Sequence, residues 1–303
     1  MTSAETREIF EKVRQVEIRT NRLARDTFAG QYHSVFKGRG MDFDEVREYV
    51  PGDEIRSIDW NVTARTGRPF VKKYREEREL TILLLVDLSA SGHFGSTAQS
   101  KRERAAEVAS VLAFSAIRNN DKVGLILFTD EIEQYLPPKK GRRHVLRVVR
   151  EILFFTPRRR GTDLVQALRF AHRVVRRHAI AFLLSDFLVP GEALGRGEEL
   201  RRALQLVHRR HDLVALRVGD RRESELPRIG RVTLEDAETG EQLEIDTGDE
   251  NVRQRFAEQA DARRRALRQL FGATGIDALD IDTQDPYLAP LRRFFRTRAA
   301  RRG

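Results

Sequence analysis

Leu80-Thr81-Ile82-Leu83-Leu84-Leu85-Val86 is an almost wholly aliphatic run without polar alternation, and it ends in Asp87-x-Ser89-x-Ser91. A strand covered on both faces reads this way, because neither face needs polar side chains for water; such strands belong to the parallel sheets of α/β domains. Ligands collect at the carboxyl ends of those strands. An extended stretch sends residues i, i+2 and i+4 to one side, so one carboxylate and two hydroxyls converge where the strand stops. All three are hard oxygen donors, suited to magnesium, manganese or calcium rather than zinc.

The rest of the chain supplies partners for that strand. Ser100-x-x-Glu103 has the form of a capping box, and Ala105, Val108, Ala109, Leu112 and Ala116 give the following helix one apolar face. Val123 to Phe128, Ala179 to Ser185, Leu213 to Val218 and Ile276 to Ile281 read as further strands, with a short edge segment from Ile132 to Leu136. Helices are predicted around Val145–Ile152, Leu164–Val175, Leu200–Val207, Val252–Phe271 and Pro290–Arg298, the last fraying in its Arg-rich end. This alternation predicts an α/β fold with a doubly wound, mainly parallel sheet. Val232, Leu234, Thr239-Gly240, Leu243 and Ile245 interrupt it as a hairpin inserted at about 230–247. We divide the chain into an N-terminal segment, 1–79, and the α/β domain, 80–303. In the first, Thr2-x-x-Glu5 opens an amphipathic helix carrying Ile9, Val13, Val16 and Leu23, and loops with short strands follow from Gln31 to Glu79. Trp60 is expected in the core.

Composition removes several function classes. The chain of 303 residues has no cysteine, which excludes disulfide scaffolds, thiol catalysis and cysteine-ligated zinc. No apolar run approaches a membrane span and the start Met1-Thr2-Ser3-Ala4-Glu5 lacks a signal peptide's layout, so the expected location is the cytoplasm. A net charge of +10, mostly arginine, invites a nucleic-acid reading. Interspersed acidic residues, as in Arg102-Glu103-Arg104, favour solvated helical faces instead, and no stacking aromatics accompany the charge.

One carboxylate and two serines make a poor magnesium site alone. Thr162, in a Gly-Thr-Asp loop opening a helix, and Asp186, after the strand Ile180-Ala181-Phe182-Leu183-Leu184-Ser185, would reach the same carboxyl edge as Asp87 in a doubly wound sheet. Asp163 reads as the cap of that helix, and Asp130 as turn chemistry. Asp87-x-Ser89-x-Ser91, Thr162 and Asp186, in that order and context, resemble the metal-ion-dependent adhesion site of von Willebrand factor A domains. Arg47-Glu48-Tyr49, Pro51-Gly52-Asp53, Ile58-Asp59-Trp60 and Ala64-Arg65, with the ending around Pro290, Leu291, Phe294, Phe295 and Arg298, resemble the bacterial family named domain of unknown function 58.

That resemblance implies that Ser89, Ser91 and Thr162 bind Mg2+ or Mn2+ directly or nearly so. Asp87 and Asp186 would act through water or alternate between direct and indirect contact. An exchangeable position on the ion would accept a partner protein's Asp or Glu. The resemblance also implies a MoxR-type AAA+ ATPase partner and a non-catalytic, chaperone-like adaptor. Arg158, Arg159 and Arg160, with Lys139, Lys140, Arg142 and Arg143 upstream, would form a basic rim steering an acidic partner. The alternatives are a metal-dependent phosphatase or hydrolase and a basic nucleic-acid-binding protein. Against catalysis stands Ser89, where phosphatases of the D-x-D-x-T type carry a second Asp as general acid.

Overall fold

The computed structural model describes residues 13–18, 20, 41–76, 79–96, 99–188 and 196–302. The N-terminal capping box, Ile9 and Leu23 lie outside them. Strands β1 (Met41–Glu48) and β2 (Phe70–Glu76) form an antiparallel pair of their own, with helix α1 (Trp60–Thr66) between them. Then follow β3 (Thr81–Asp87), α2 (Lys101–Arg118), β4 (Lys122–Phe128), β5 (Ile132–Lys139), α3 (Arg142–Phe154), α4 (Leu164–Val174), β6 (Ile180–Ser185), α5 (Arg196–Arg210) and β7 (Asp212–Gly219). Hairpin β8 (Arg231–Glu235) and β9 (Gln242–Asp246), α6 (Glu250–Thr274), β10 (Asp277–Asp282) and α7 (Leu288–Arg302) complete the order. Helix α7 runs four residues past the expected end at Arg298, so the Arg-rich tail stays helical.

The main sheet has six strands in the order β10-β7-β6-β3-β4-β5, all parallel except the antiparallel edge pair β4-β5. This is the α/β architecture expected from the alternating pattern. Strand β3 lies at the centre, where the winding reverses, and residues 82–86 are wholly buried. Ile82, Leu84 and Val86 face one apolar layer with Leu112, Val148, Leu291 and Phe295, while Leu83 and Leu85 face the other with Leu168, Leu204 and Phe271. Each such side chain contributes about 1.5–3 kcal/mol when fully buried. That burial on both faces is why the strand shows no polar alternation.

Local signals were obeyed at the helix starts. Ser100 Oγ accepts from the Glu103 N–H at 3.2 Å and Glu103 returns the bond to the Ser100 N–H at 3.1 Å, closing the capping box of α2. Asp163 caps α4 by accepting from the Gln166 N–H. Edge strand β5 carries Pro137 and Pro138, and its ladder with β4 shifts register between Val123 and Leu125. Gly124 lies in that shift because a Cβ there would meet Pro138 Cγ at 2.9 Å.

The N-terminal segment departs from expectation at Trp60, which is 66% exposed, along with Val50 and Ile55. Helix α1 has no buried residue, so the indole finds no layer to enter. The polar pairs of that segment are local: Arg47 forks onto Asp53 at 2.6 and 2.7 Å, and Asp59 caps α1 through Asn61 and Val62 while facing Lys72 at 3.3 Å. Asp59 therefore pairs with Lys72 of β2. Among the described residues, no helix is long and apolar enough to cross a membrane.

Two buried charges lead to predictions. Asp121, just after α2, is fully buried; its Oδ1 accepts from the Leu80 N–H at 2.9 Å and its Oδ2 has no hydrogen-bond partner. Burial pushes its carboxyl from 3.8 up to about 6, against the Leu80 hydrogen bond and Lys140. Between those pH values the folded chain holds a proton that the unfolded chain has released, so stability falls as pH rises through the window and levels off above it. Relative to Asp121→Asn, the wild type should lose on the order of 2 kcal/mol between pH 4 and pH 7, read from urea unfolding at both. Arg298, 3% exposed on α7, pairs with buried Asp212 and, at 3.0 Å, with Asp277. Arg298→Ala strands Asp212 in the interior and should cost about 3–5 kcal/mol in the same measurement.

Candidate metal centre

Asp87 ends β3, and the parallel register pairs Val86 with Leu184 of β6, which brings Ser185 and Asp186 level with it. Asp87 Oδ1 accepts from the Ser89 N–H at 2.8 Å, folding the chain back at the strand end, and Asp87 Oδ2 accepts from Ser185 Oγ at 2.6 Å. A short 3-10 turn, Ala90–His93, then carries Ser91 across the edge. Its Oγ donates to Asp186 Oδ2 at 2.7 Å and lies 3.1 Å from Ser89 Oγ. Four of the five expected residues thus share one hydrogen-bonded patch.

Thr162 is the fifth, and it joins less directly. It is buried in the loop between α3 and α4, and lines with Asp186 a cavity of about 500 Å³. Its Oγ1 donates not to Asp87 or Asp186 but to Glu238 Oε1, at 2.7 Å, from the tip of the β8–β9 hairpin. The loop before it is fastened to the serine turn, since the Ala90 N–H donates to the Arg160 carbonyl at 2.9 Å. Arg158, Arg159 and Arg160 are exposed; the backbone N–H groups of the first two donate to Glu133, which leaves their side chains at the rim.

Lys101 was not anticipated from the sequence. The first residue of α2, it is 3% exposed, 2.5 Å from Asp186 Oδ2 and also paired with Glu223. A cation at a helix N-terminus opposes the dipole, which is the one sequence-level sign that it answers to distant carboxylates. Burial lowers its affinity for a proton, but Asp186 and Glu223 outweigh this and raise it overall. Glu238 was missed too, because an acid in an Asp-Ala-Glu-Thr-Gly turn reads as ordinary solvated charge.

The electrostatics are those of crowded acids. Burial, then the Asp186 charge, lifts the Asp87 carboxyl to about 6, against hydrogen bonds from Ser185 and Ser89. Burial, followed by repulsion from Asp87, Asp186 and Asp236, lifts Glu238 to about 7, against its bond from Thr162. Just beyond, Phe187 holds φ at 58°, a left-handed value rare for a bulky residue. Its ring packs edge-on against Phe271, and the bend lets the Leu188 N–H donate to Asp186 Oδ1 at 3.0 Å.

A divalent cation fits these residues. Every donor is a hard oxygen. Glu238 Oε2 is buried without a hydrogen-bond partner, and the Lys101 ammonium pairs with Asp186 and Glu223, leaving Asp87 to hydrogen bonds from Ser185 and the Ser89 N–H. A void of about 20 Å³, the size of one water or ion, opens among Asp87, Ser89, Ser91, Lys101 and Asp186. Among the described residues no three His, Cys, Asp or Glu side chains stand together as metal ligands, so any cation here depends on the hydroxyls.

Uncharacterized protein Rv1480 of Mycobacterium tuberculosis is 32% identical over 293 residues, covering 96% of this chain and 89% of that one. Uncharacterized protein YeaD of Bacillus subtilis is 26% identical over 107 residues, 35% of this chain and 25% of its own. Among solved structures, the conserved hypothetical protein BatB from Bacteroides thetaiotaomicron has a TM-score of 0.43 at 17% identity, covering 73% of this chain and 99% of that one. The SpRpn10 VWA domain has a TM-score of 0.37 at 14% identity, covering 70% and 93%. At those TM-scores the fold stands on the sheet order itself. Residues 45–266 match the family described as Protein of unknown function DUF58, and the chain belongs to that family.

Proposed function

We propose that the chain is a non-catalytic adaptor that binds other proteins through Mg2+ or Mn2+ held by Asp87, Ser89, Ser91, Thr162 and Asp186. The observation that carries this reading is the meeting of Ser91 with Asp186, and of Ser185 with Asp87, at the carboxyl edge of adjacent strands. Three hydroxyls and two carboxylates leave a hard cation electron-poor, and when bound it offers a position for a partner's Asp or Glu. Ser89 and Ser91 orient each other, Ser185 and the Ser89 N–H hold Asp87, and Lys101 with the Leu188 N–H holds Asp186. Where a phosphatase would need a second acid, Ser89 offers only a hydroxyl, which supports binding over catalysis.

By its resemblance to von Willebrand companions of MoxR-type AAA+ ATPases, the chain would grip such an ATPase or its client in the cytoplasm. The ATPase would supply the work of assembly or activation. The exposed Arg158, Arg159 and Arg160, fastened to the serine turn through the Arg160 carbonyl, would draw in an acidic surface.

Metal dependence is checked by thermal unfolding in EDTA against Mg2+ or Mn2+. At ~100 times the dissociation constant a bound cation adds about 2.7 kcal/mol, a rise of roughly 5 to 10 °C for a domain of this size. Asp87→Ala should abolish the rise, and a wild type that does not respond ends the metal reading. For the rim, the triple replacement of Arg158, Arg159 and Arg160 by Glu should slow association with a MoxR-type ATPase at least ten-fold at low salt and flatten its salt dependence. Unchanged rates would remove the steering role.

A further inference from the structure

We infer that the β8–β9 hairpin is the site's own internal ligand: Glu238 at its tip takes the carboxylate position that a partner must win, so the hairpin keeps the site closed until it is displaced. This rests on the metal-binding reading above and adds its regulation.

The contact is long-range and specific. Thr162 Oγ1 donates to Glu238 Oε1, although Thr162 and Glu238 come from separate elements on either side of β6 and β7. The second carboxylate oxygen, Oε2, is shielded from water and has no hydrogen-bond partner. It is the kind of atom that a cation beside Asp87 and Asp186 would satisfy, and leaving it bare is costly. The tip is built to present it. Asp236 Oδ1 accepts from both the Glu238 N–H, at 2.8 Å, and the Thr239 N–H, at 2.9 Å. The Gly240 N–H donates to the Asp236 carbonyl at 2.7 Å, with Gly240 at a φ of 75° that favours glycine.

The arms are built to let go. Neither β8 nor β9 joins the six-stranded sheet, and no residue of either strand is buried; Leu243 is 63% exposed. A two-stranded hairpin has little stability of its own, so what the tip grips decides where it lies. Its base, by contrast, is fixed. Thr247 is fully buried, its N–H and hydroxyl both donate to the Gly230 carbonyl, and its hydroxyl accepts from the Ile229 N–H. A firm base, exposed arms and one half-buried acid at the tip, with its Oε2 shielded from water, describe a strap that pivots, with the acid as its latch.

The test uses the full chain and Mn2+ alone, reading the relaxation of water protons, which reports how many exchangeable waters each bound ion keeps. Wild type, Glu238→Ala and Asp87→Ala are compared, and hydrogen exchange follows the amides of 236–241. If Glu238 is the internal ligand, Glu238→Ala binds Mn2+ about ten-fold more weakly, shows a higher relaxation enhancement per bound ion, and loses the Mn2+-induced slowing of exchange at the tip. Acetate should then refill the position, lowering the enhancement in Glu238→Ala at concentrations that leave the wild type unchanged. Equal enhancement and equal acetate response in the two proteins, with Mn2+ binding intact and abolished in Asp87→Ala, would overturn the internal ligand while sparing the metal site. Failure of the wild type to bind Mn2+, or undiminished binding by Asp87→Ala, would overturn both.

Discussion

Everything at the carboxyl edge depends on the register of the parallel ladder β6-β3-β4. Asp87 pairs with Phe128 on one side, and Val86 with Leu184 on the other, so the two strand ends place Asp87 beside Ser185 and Asp186. A slip of one residue would turn Asp87 into the apolar layer and point Val86 at the edge. The buried side chains on both faces forbid that slip, since each alternate residue already fills a specific layer. The hydrophobic core is therefore also the device that positions the polar site.

What could be read from the sequence divides along range of interaction. Strand β3, the capping box at Ser100 and the hairpin around Thr239-Gly240 are written in neighbouring residues, and the structure has them close to the expected bounds. The joining of Asp87, Ser89 and Ser91 with Asp186 was also legible, because strand order and chain direction together determine which loops share an edge. Glu238 and Lys101 were not. Each is an ordinary charged residue locally, at a turn and at a helix start, and acquires its meaning only from residues more than seventy positions away. Trp60 misled for the opposite reason: a large aromatic suggests a core, but seven residues of α1 over a two-stranded sheet offer no layer deep enough to take it.

The charge of the chain is distributed in two regimes. On the surface, arginines meet acids nearby, as Arg201 does Glu198 and Arg159 does Glu131, and each such pair adds little. In the interior, several ion pairs join separate elements. Arg298 ties α7 to β7 and β10, and Lys101 ties α2 to Asp186 and Glu223. The acids at the edge outnumber that one ammonium, in a protein whose overall balance is strongly basic. Acids gathered in a molecule of net positive charge set up local fields of opposite sign within one face.

The prolines of β5 bear on how copies of this chain meet one another. A sheet edge ordinarily invites another strand to add to it, and here one edge carries Pro137 and Pro138, which cannot donate to a new ladder. The opposite edge, β10, has no proline, and its Asp277 and Asp280 are paired with Arg298 and Arg217. Lateral growth into fibrils or edge-to-edge dimers is discouraged on the β5 side.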